Sequence, residues 1–85
     1  MPVENVECLL CQTPAERRRT PNGYLYHCEG CGGPFEVDTG AQSRAERGEF
    51  YPHITTDMRD RIARGKRPRV ELDAPYNRLV VKTMP

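Results

Sequence analysis

A small α+β fold held together by a metal ion is predicted by three features of the sequence. The chain has 85 residues, no Trp and only 36% hydrophobic residues. A chain of this size buries only ~60–65% of its unfolded surface, so its apolar core is marginal. Its four cysteines form two pairs, each with two residues between them. Residues typical of a β-turn lie between the two pairs, and residues typical of helix ends follow them. The sequence therefore predicts a metal-crosslinked β-hairpin followed by helices.

The spacing of the cysteines predicts a metal site. Sixteen residues separate Cys8-x2-Cys11 from Cys28-x2-Cys31. Two intervening residues form a tight turn, or knuckle, that directs both thiolates at one ion ~2.3 Å away, and two knuckles complete a tetrahedral shell of four sulfurs. A closed shell indicates a structural metal rather than a catalytic one. We therefore predict one Zn²⁺ per chain with the ligands Cys8, Cys11, Cys28 and Cys31.

Other uses of the cysteines fit less well. Two disulfides would suit a secreted protein, but residues 1–7 lack the charged start and apolar run of a secretory signal. A redox pair needs one C-x2-C in a thioredoxin-like βαβ context, which the sequence lacks. Iron is the closest alternative, because a rubredoxin site also has four sulfurs. In such sites both knuckles usually end in Gly, as Gly32 ends the second one here, whereas Gln12 ends the first.

A β-hairpin is predicted between the knuckles. Thr20-Pro21-Asn22-Gly23 favours a three-residue loop, with strands at 15–20 and 24–28. The first strand is polar on both faces and is therefore predicted to be an outer strand. In the second, alternation places His27 on the face opposite the two tyrosines, so we interpret it as a surface or packing residue rather than as a substitute ligand.

A third strand is predicted at 34–38, where Phe35 and Val37 alternate with acidic residues. Knuckle, hairpin, knuckle and strand together are the layout of a zinc ribbon. We assign this three-stranded ribbon to residues 1–38.

Residues 39–69 are predicted to form two short helices that pack on the ribbon. The first runs from about Gly40 to Arg47, with Thr39 as N-cap, Gln42 reaching back to it in a capping box, and Gly48 at the C-terminal end.

The second helix runs from about Thr56 to Arg64 and ends at Gly65. Ile54, Met58 and Ile62 recur every four residues and form the stripe predicted to face the core. Residues 70–85 are predicted as an extended tail, loop-like at 70–75 and with a short strand at 77–83.

The charge is divided unevenly along the chain. Residues 1–38 carry six acidic and three basic side chains, whereas residues 57–69 carry six basic and two acidic ones. The chain has eleven Arg and two Lys, a bias that a GC-rich genome would also produce. The candidate nucleic-acid contacts in this basic segment are Arg59, Arg61, Arg64, Lys66, Arg67 and Arg69.

Several stretches also resemble a known kind of module. These are Cys8-Leu9-Leu10-Cys11, Pro14-Ala15-Glu16-Arg17, Tyr26-His27-Cys28-Glu29-Gly30-Cys31-Gly32 and Phe35-Glu36-Val37. They are similar to the zinc-ribbon modules at the N-terminus of uncharacterised bacterial proteins, often of mobile or defence-associated genes. The resemblance covers about residues 8–70. It implies that the four cysteines are metal ligands, supplies no catalytic residue, and implies a ribbon that is usually joined to a larger effector domain.

Two functions are compatible with these features. The first is a small non-enzymatic regulator that associates with nucleic acid through residues 59–69. The alternative is an adaptor module that docks on a larger protein, for example by adding Leu79, Val80 and Val81 to a sheet edge. An enzyme is not expected, because Ser43 is the only serine, every cysteine belongs to the metal set and no carboxylate pair is placed for acid and base roles. We expect a cytoplasmic protein with no membrane segment and no small-molecule substrate.

Overall fold

A computed structural model describes residues 3–85 as a single six-stranded sheet with two helices. The strands follow one another in chain order, and all neighbours are antiparallel except β4 and β5, which are parallel. The elements are β1 (Glu4–Glu7), β2 (Pro14–Thr20), β3 (Gly23–Cys28), β4 (Gly33–Asp38), α1 (Thr39–Glu46), α2 (Pro52–Ala63), β5 (Arg67–Asp73), a 3₁₀ turn (Ala74–Tyr76) and β6 (Arg78–Met84). The α+β class is confirmed, but the sheet has more strands than the three-stranded ribbon that the sequence predicts.

The first half of the sheet contains a strand that the sequence analysis missed. β1 pairs with β2 over four positions, so β2 is an interior strand and the prediction that it is an outer strand is wrong. The hairpin between β2 and β3 is tighter than predicted, because Thr20 pairs directly with Gly23 and leaves a two-residue loop. A side chain at Gly23 would collide with the carbonyl oxygen of Val37, which explains the glycine.

Helix α1 begins one residue earlier than predicted, at Thr39, and a different side chain caps it. The carboxylate of Asp38 accepts the N–H of Ala41 at 2.7 Å, so Asp38 and not Thr39 is the N-cap. Gln42 does not reach back to the cap. It is only 4% exposed, and its Oε1 accepts the hydroxyl of Tyr26 at 2.7 Å. The predicted capping box is therefore wrong, and the polar group that suggested it connects the helix to the sheet.

Helix α2 begins four residues earlier than predicted. Pro52 occupies its first turn, where the missing N–H of proline costs nothing. Ile54, Met58 and Ile62 are all buried, which confirms the predicted stripe. Gly65 follows the helix with a φ of 76°, a conformation that glycine adopts without strain.

The second half of the sheet differs from the prediction at residues 70–75. Most of these residues belong to β5, which runs parallel to β4 because the chain returns across the two helices. The predicted tail strand is present as β6, but it pairs with β5 along its whole length rather than forming a free extension.

The core lies between the helices and one face of the sheet. Tyr26 and Phe35 stack there with ring centroids 4.9 Å apart, and Met58 packs in the same buried cluster. Alternation along β3 directs Leu25 and His27 to the opposite face, where Leu25 is half-buried and His27 is exposed. None of the helices in residues 3–85 has the length and apolar character needed to cross a membrane.

Candidate metal centre

The four cysteine sulfurs converge at one end of the sheet. All four Sγ atoms lie within 4.8 Å of one another. Cys8 and Cys31 are 3.7 Å apart, and Cys11 and Cys28 are 3.4 Å apart. Sulfurs ~2.3 Å from a central tetrahedral ion are ~3.8 Å from one another, whereas a disulfide needs ~2.05 Å. The four thiols are therefore free and their spacing fits one metal ion.

Both knuckles are closed by backbone hydrogen bonds. In the first, Gln12 N donates to Cys8 O at 3.0 Å, and in the second, Gly32 N donates to Cys28 O at 3.1 Å. Each knuckle ends in a residue of positive φ, 61° at Gln12 and 93° at Gly32. The glycine meets this requirement without strain, while Gln12 adopts a left-handed conformation that is unfavourable for a residue with a side chain.

The ligands differ in exposure. Cys8 and Cys28 are fully buried, at 1% and 0% exposure, whereas Cys11 and Cys31 are half-buried. The backbone N–H of Leu10 lies 3.4 Å from Cys8 Sγ and donates to it. The site therefore has a protected side, formed by one cysteine of each knuckle, and a side that water can approach.

The protein environment also gives the thiols different pKa values. Burial raises the pKa of Cys8 to about 11 and raises the pKa of Cys31 as well. Burial opposes ionisation of Cys11 too, but the hydrogen bonds of Thr13, Cys31 and Cys28 together outweigh it and lower that pKa to about 6. A bound cation would favour the thiolate form at all four positions, so metal binding would release protons.

His27 does not belong to this cluster. It is exposed on β3, on the face opposite Tyr26, and the metal-binding group found within residues 3–85 consists of the four cysteines. The site residues that the sequence predicts for the metal are therefore brought together by the fold.

The side chains of the predicted basic segment do not form a shared positively charged surface. Four of its six cations form ion pairs with carboxylates: Arg61 with Asp57 at 2.8 Å, Arg64 with Asp60 at 3.2 Å, Arg67 with Glu36 at 2.8 Å, and Arg69 with Glu71 at 2.7 Å and Glu36 at 3.2 Å. Arg69 is only 9% exposed. Within residues 3–85, Arg59 and Lys66 are exposed cations of this segment that have no carboxylate within 4.0 Å. Most of the positive charge is thus neutralised locally.

A groove that the sequence analysis missed lies over β1, β2 and β3, on the sheet face away from the helices. It measures about 790 Å³ and is open to solvent. Its lining includes two apolar residues, three carboxylates and two guanidinium groups: Val3, Leu25, Glu7, Glu16, Glu29, Arg17 and Arg18. The groove could not be foreseen, because its first wall is the unpredicted strand β1.

The groove holds all the acidic side chains that have no partner within residues 3–85. The chain has twelve acidic residues. Nine accept a hydrogen bond or form an ion pair: Glu4, Glu36, Asp38, Glu46, Glu49, Asp57, Asp60, Glu71 and Asp73. The remaining three are Glu7, Glu16 and Glu29, and all three are exposed.

Fold and site together define a small α+β protein with a four-cysteine cluster that is compatible with one metal ion. Comparison of the chain with known protein families, curated proteins and solved structures finds no match. The resemblance to N-terminal zinc-ribbon modules of bacterial proteins therefore remains an expectation from the sequence.

Proposed function

We propose that this chain is a zinc-stapled, non-enzymatic interaction module that docks on a larger protein. The four-sulfur shell supports the role of the metal, since an ion with four protein ligands has no open position for a substrate. Zinc is the proposed ion rather than iron, because Gln12 ends the first knuckle where rubredoxin-like sites usually have glycine.

The groove over β1–β3 is the observation that carries the docking role. Three unpartnered carboxylates border an apolar surface formed by Leu25 and by Val3, which is 45% exposed. Arg18 also lines the groove and is exposed without a carboxylate partner in residues 3–85, so the three carboxylates outnumber the unpaired cation there and leave a net negative potential. The complementary partner is a protein segment that carries basic side chains.

The sheet edge beside the groove supports the same proposal. β1 is the first strand in the sheet order, so one of its two edges has no strand partner in residues 3–85. An extended segment of a partner can add to such an edge through main-chain hydrogen bonds while its side chains enter the neighbouring groove. This differs from the docking through Leu79, Val80 and Val81 that the sequence suggests, because the groove lies at the opposite edge of the sheet.

Affinity purification from the native host would test this function. The full chain is compared with a variant in which Glu7, Glu16 and Glu29 are all changed to Lys, and with the matched control Asp60→Lys on the exposed side of α2. We expect one co-purifying protein to be lost with the groove variant and kept with the control. Retention of the same proteins by the groove variant would contradict the proposal, and so would equal loss with both variants.

A second candidate is association with nucleic acid, supported by the exposure of Arg59 and Lys66 without carboxylate partners. Gel shifts at ~50 mM salt favour phosphate contacts most strongly. If this function is correct, wild type shifts single- or double-stranded nucleic acid and the double variant Arg59→Glu/Lys66→Glu does not. Wild type that fails to shift either would exclude the candidate.

A further inference from the structure

The hydroxyl of Thr13 lies against the sulfur cluster. Its Oγ1 is 3.0 Å from Cys11 Sγ and 3.5 Å from Cys28 Sγ, so one oxygen contacts a ligand from each knuckle. The backbone of Thr13 is also fixed, because its carbonyl accepts the N–H of Cys8 at 2.9 Å. Thr13 therefore belongs to the first knuckle by sequence and touches both in space.

Gly30 provides the space that this hydroxyl occupies. A Cβ at Gly30 would lie 2.6 Å from Thr13 Oγ1 and 3.3 Å from Cys11 Sγ. Real Cβ atoms do not approach a hydroxyl oxygen so closely, so any larger residue at this position would displace the threonine or the ligand. The second knuckle thus leaves a gap at the point where Thr13 reaches across to it.

The direction of the hydrogen bond follows from the chemistry of a bound metal. A thiolate ligand carries no proton, so the Thr13 hydroxyl must be the donor. It has a single proton, which goes to the nearer sulfur, that of Cys11. This bond to a charged acceptor is stronger than one between neutral groups. Cys8, at the protected side, receives its own donor from the N–H of Leu10.

We propose that Thr13 is a positioning residue of the metal site: its hydroxyl donates to the Cys11 thiolate, packs against Cys28 of the second knuckle and slows loss of the ion. Cys11 is a half-buried ligand, so water can approach its bond to the ion. The Thr13 hydroxyl occupies one side of that sulfur and fixes its orientation toward the ion. Outer-sphere partners of metal ligands typically change affinity by about 10–100-fold.

This inference rests on the proposed metal but not on the proposed protein partner. The test uses the full chain loaded with Zn²⁺ or Co²⁺, with Thr13→Val, Thr13→Ala and Thr13→Ser compared with wild type. Valine keeps the shape of threonine but has no donor, alanine leaves room for a water, and serine restores the hydroxyl. Thr56→Val is the matched control, since Thr56 is exposed on α2.

Two measurements distinguish a hydrogen-bonding role from a merely structural one. We expect Zn²⁺ transfer to a chromogenic chelator to be about tenfold faster in Thr13→Val, with a smaller change in Thr13→Ala and rates near wild type in Thr13→Ser and Thr56→Val. In the Co²⁺ form, the sulfur-to-metal charge-transfer band should move to lower energy in Thr13→Val, because an unbonded thiolate holds its lone pairs less tightly.

Each outcome has a separate meaning. Unchanged transfer rates and an unchanged band in a folded Thr13→Val protein would overturn the role of Thr13 while leaving the metal in place. If Thr13→Val does not fold, a wild-type rate and band in Thr13→Ala would overturn it equally. Wild type that binds neither ion would overturn both this inference and the proposed zinc site.

Discussion

Removal of the metal is expected to unfold β1 to β4, which are four of the six strands of the sheet. The four sulfurs tie the β1–β2 connection to the β3–β4 connection, so they constrain two hairpins at once. An 85-residue domain has a net stability of about 4–13 kcal/mol at 0.05–0.15 kcal/mol per residue. Structural Zn²⁺ contributes about 10–16 kcal/mol to the folding of small zinc domains at neutral pH. The contribution of the ion is therefore of the same order as the whole net stability.

The same loss is expected for Cys28→Ser, because Cys28 is fully buried and contributes one of the four ligands. Circular dichroism and metal content are measured together, in the presence of reductant, before and after addition of a strong chelator. Wild type should lose its sheet signal with the metal and regain it when Zn²⁺ is restored, whereas Cys28→Ser should regain nothing. If elemental analysis shows that the metal has been removed and the spectrum is unchanged, the ion does not stabilise the fold and the prediction is refuted.

Three further changes test the packing around the site. Tyr26→Phe leaves the buried Oε1 of Gln42 without its donor and should lower the free energy of unfolding, measured by urea titration, by about 1–3 kcal/mol. The double variant Tyr26→Phe/Gln42→Met should recover most of this stability, because it removes the unsatisfied oxygen. No recovery would contradict the assigned hydrogen bond. Met58→Ala should cost about 2–5 kcal/mol with an unchanged denaturant slope, because Met58 is fully buried, and a cost below 1 kcal/mol would argue against its place in the core. Gln12→Gly should raise the thermal midpoint of the zinc-loaded protein by relieving the φ of 61°, and a lower midpoint would show that the left-handed conformation is not strained.

The metal cluster could be predicted because it depends on local chain geometry. A C-x2-C knuckle specifies the direction of two sulfurs within four residues, and the turn at Thr20–Gly23 brings the two knuckles together. The role of Thr13 could not be predicted in this way. It depends on the absence of a side chain at Gly30, which is adjacent only in the folded protein.

The missed strands have weak local signals. β1 has one apolar residue, Val6, between polar neighbours, and β5 contains Pro68, which normally argues against a strand. Pro68 is tolerated because the pairing of β5 with β4 begins only at Arg69. Both strands are specified by the strands that pair with them, β2 for β1, and β6 and the sequence-distant β4 for β5, rather than by a pattern of their own.

The charge environment of the basic segment could not be predicted from the sequence either. Along the sequence Arg69 belongs to a cationic run, but in the sheet it lies beside Glu36 of β4 and Glu71 of its own strand. A charge count over a window includes only the acidic residues within that window. It cannot include a carboxylate that arrives from a strand more than thirty residues earlier.

The parallel pairing of β4 and β5 has a consequence for the order of folding. Two residue pairs, Glu36 with Arg69 and Val37 with Val70, form the register that joins the antiparallel group β1–β4 to the antiparallel pair β5–β6. Each group consists of hairpins whose contacts are close in sequence, whereas the junction closes a loop that contains both helices. Contacts of long sequence separation form late, so this junction should be the slow step, and the β5–β6 hairpin should open as a unit in hydrogen exchange before the strands that the cysteines hold together.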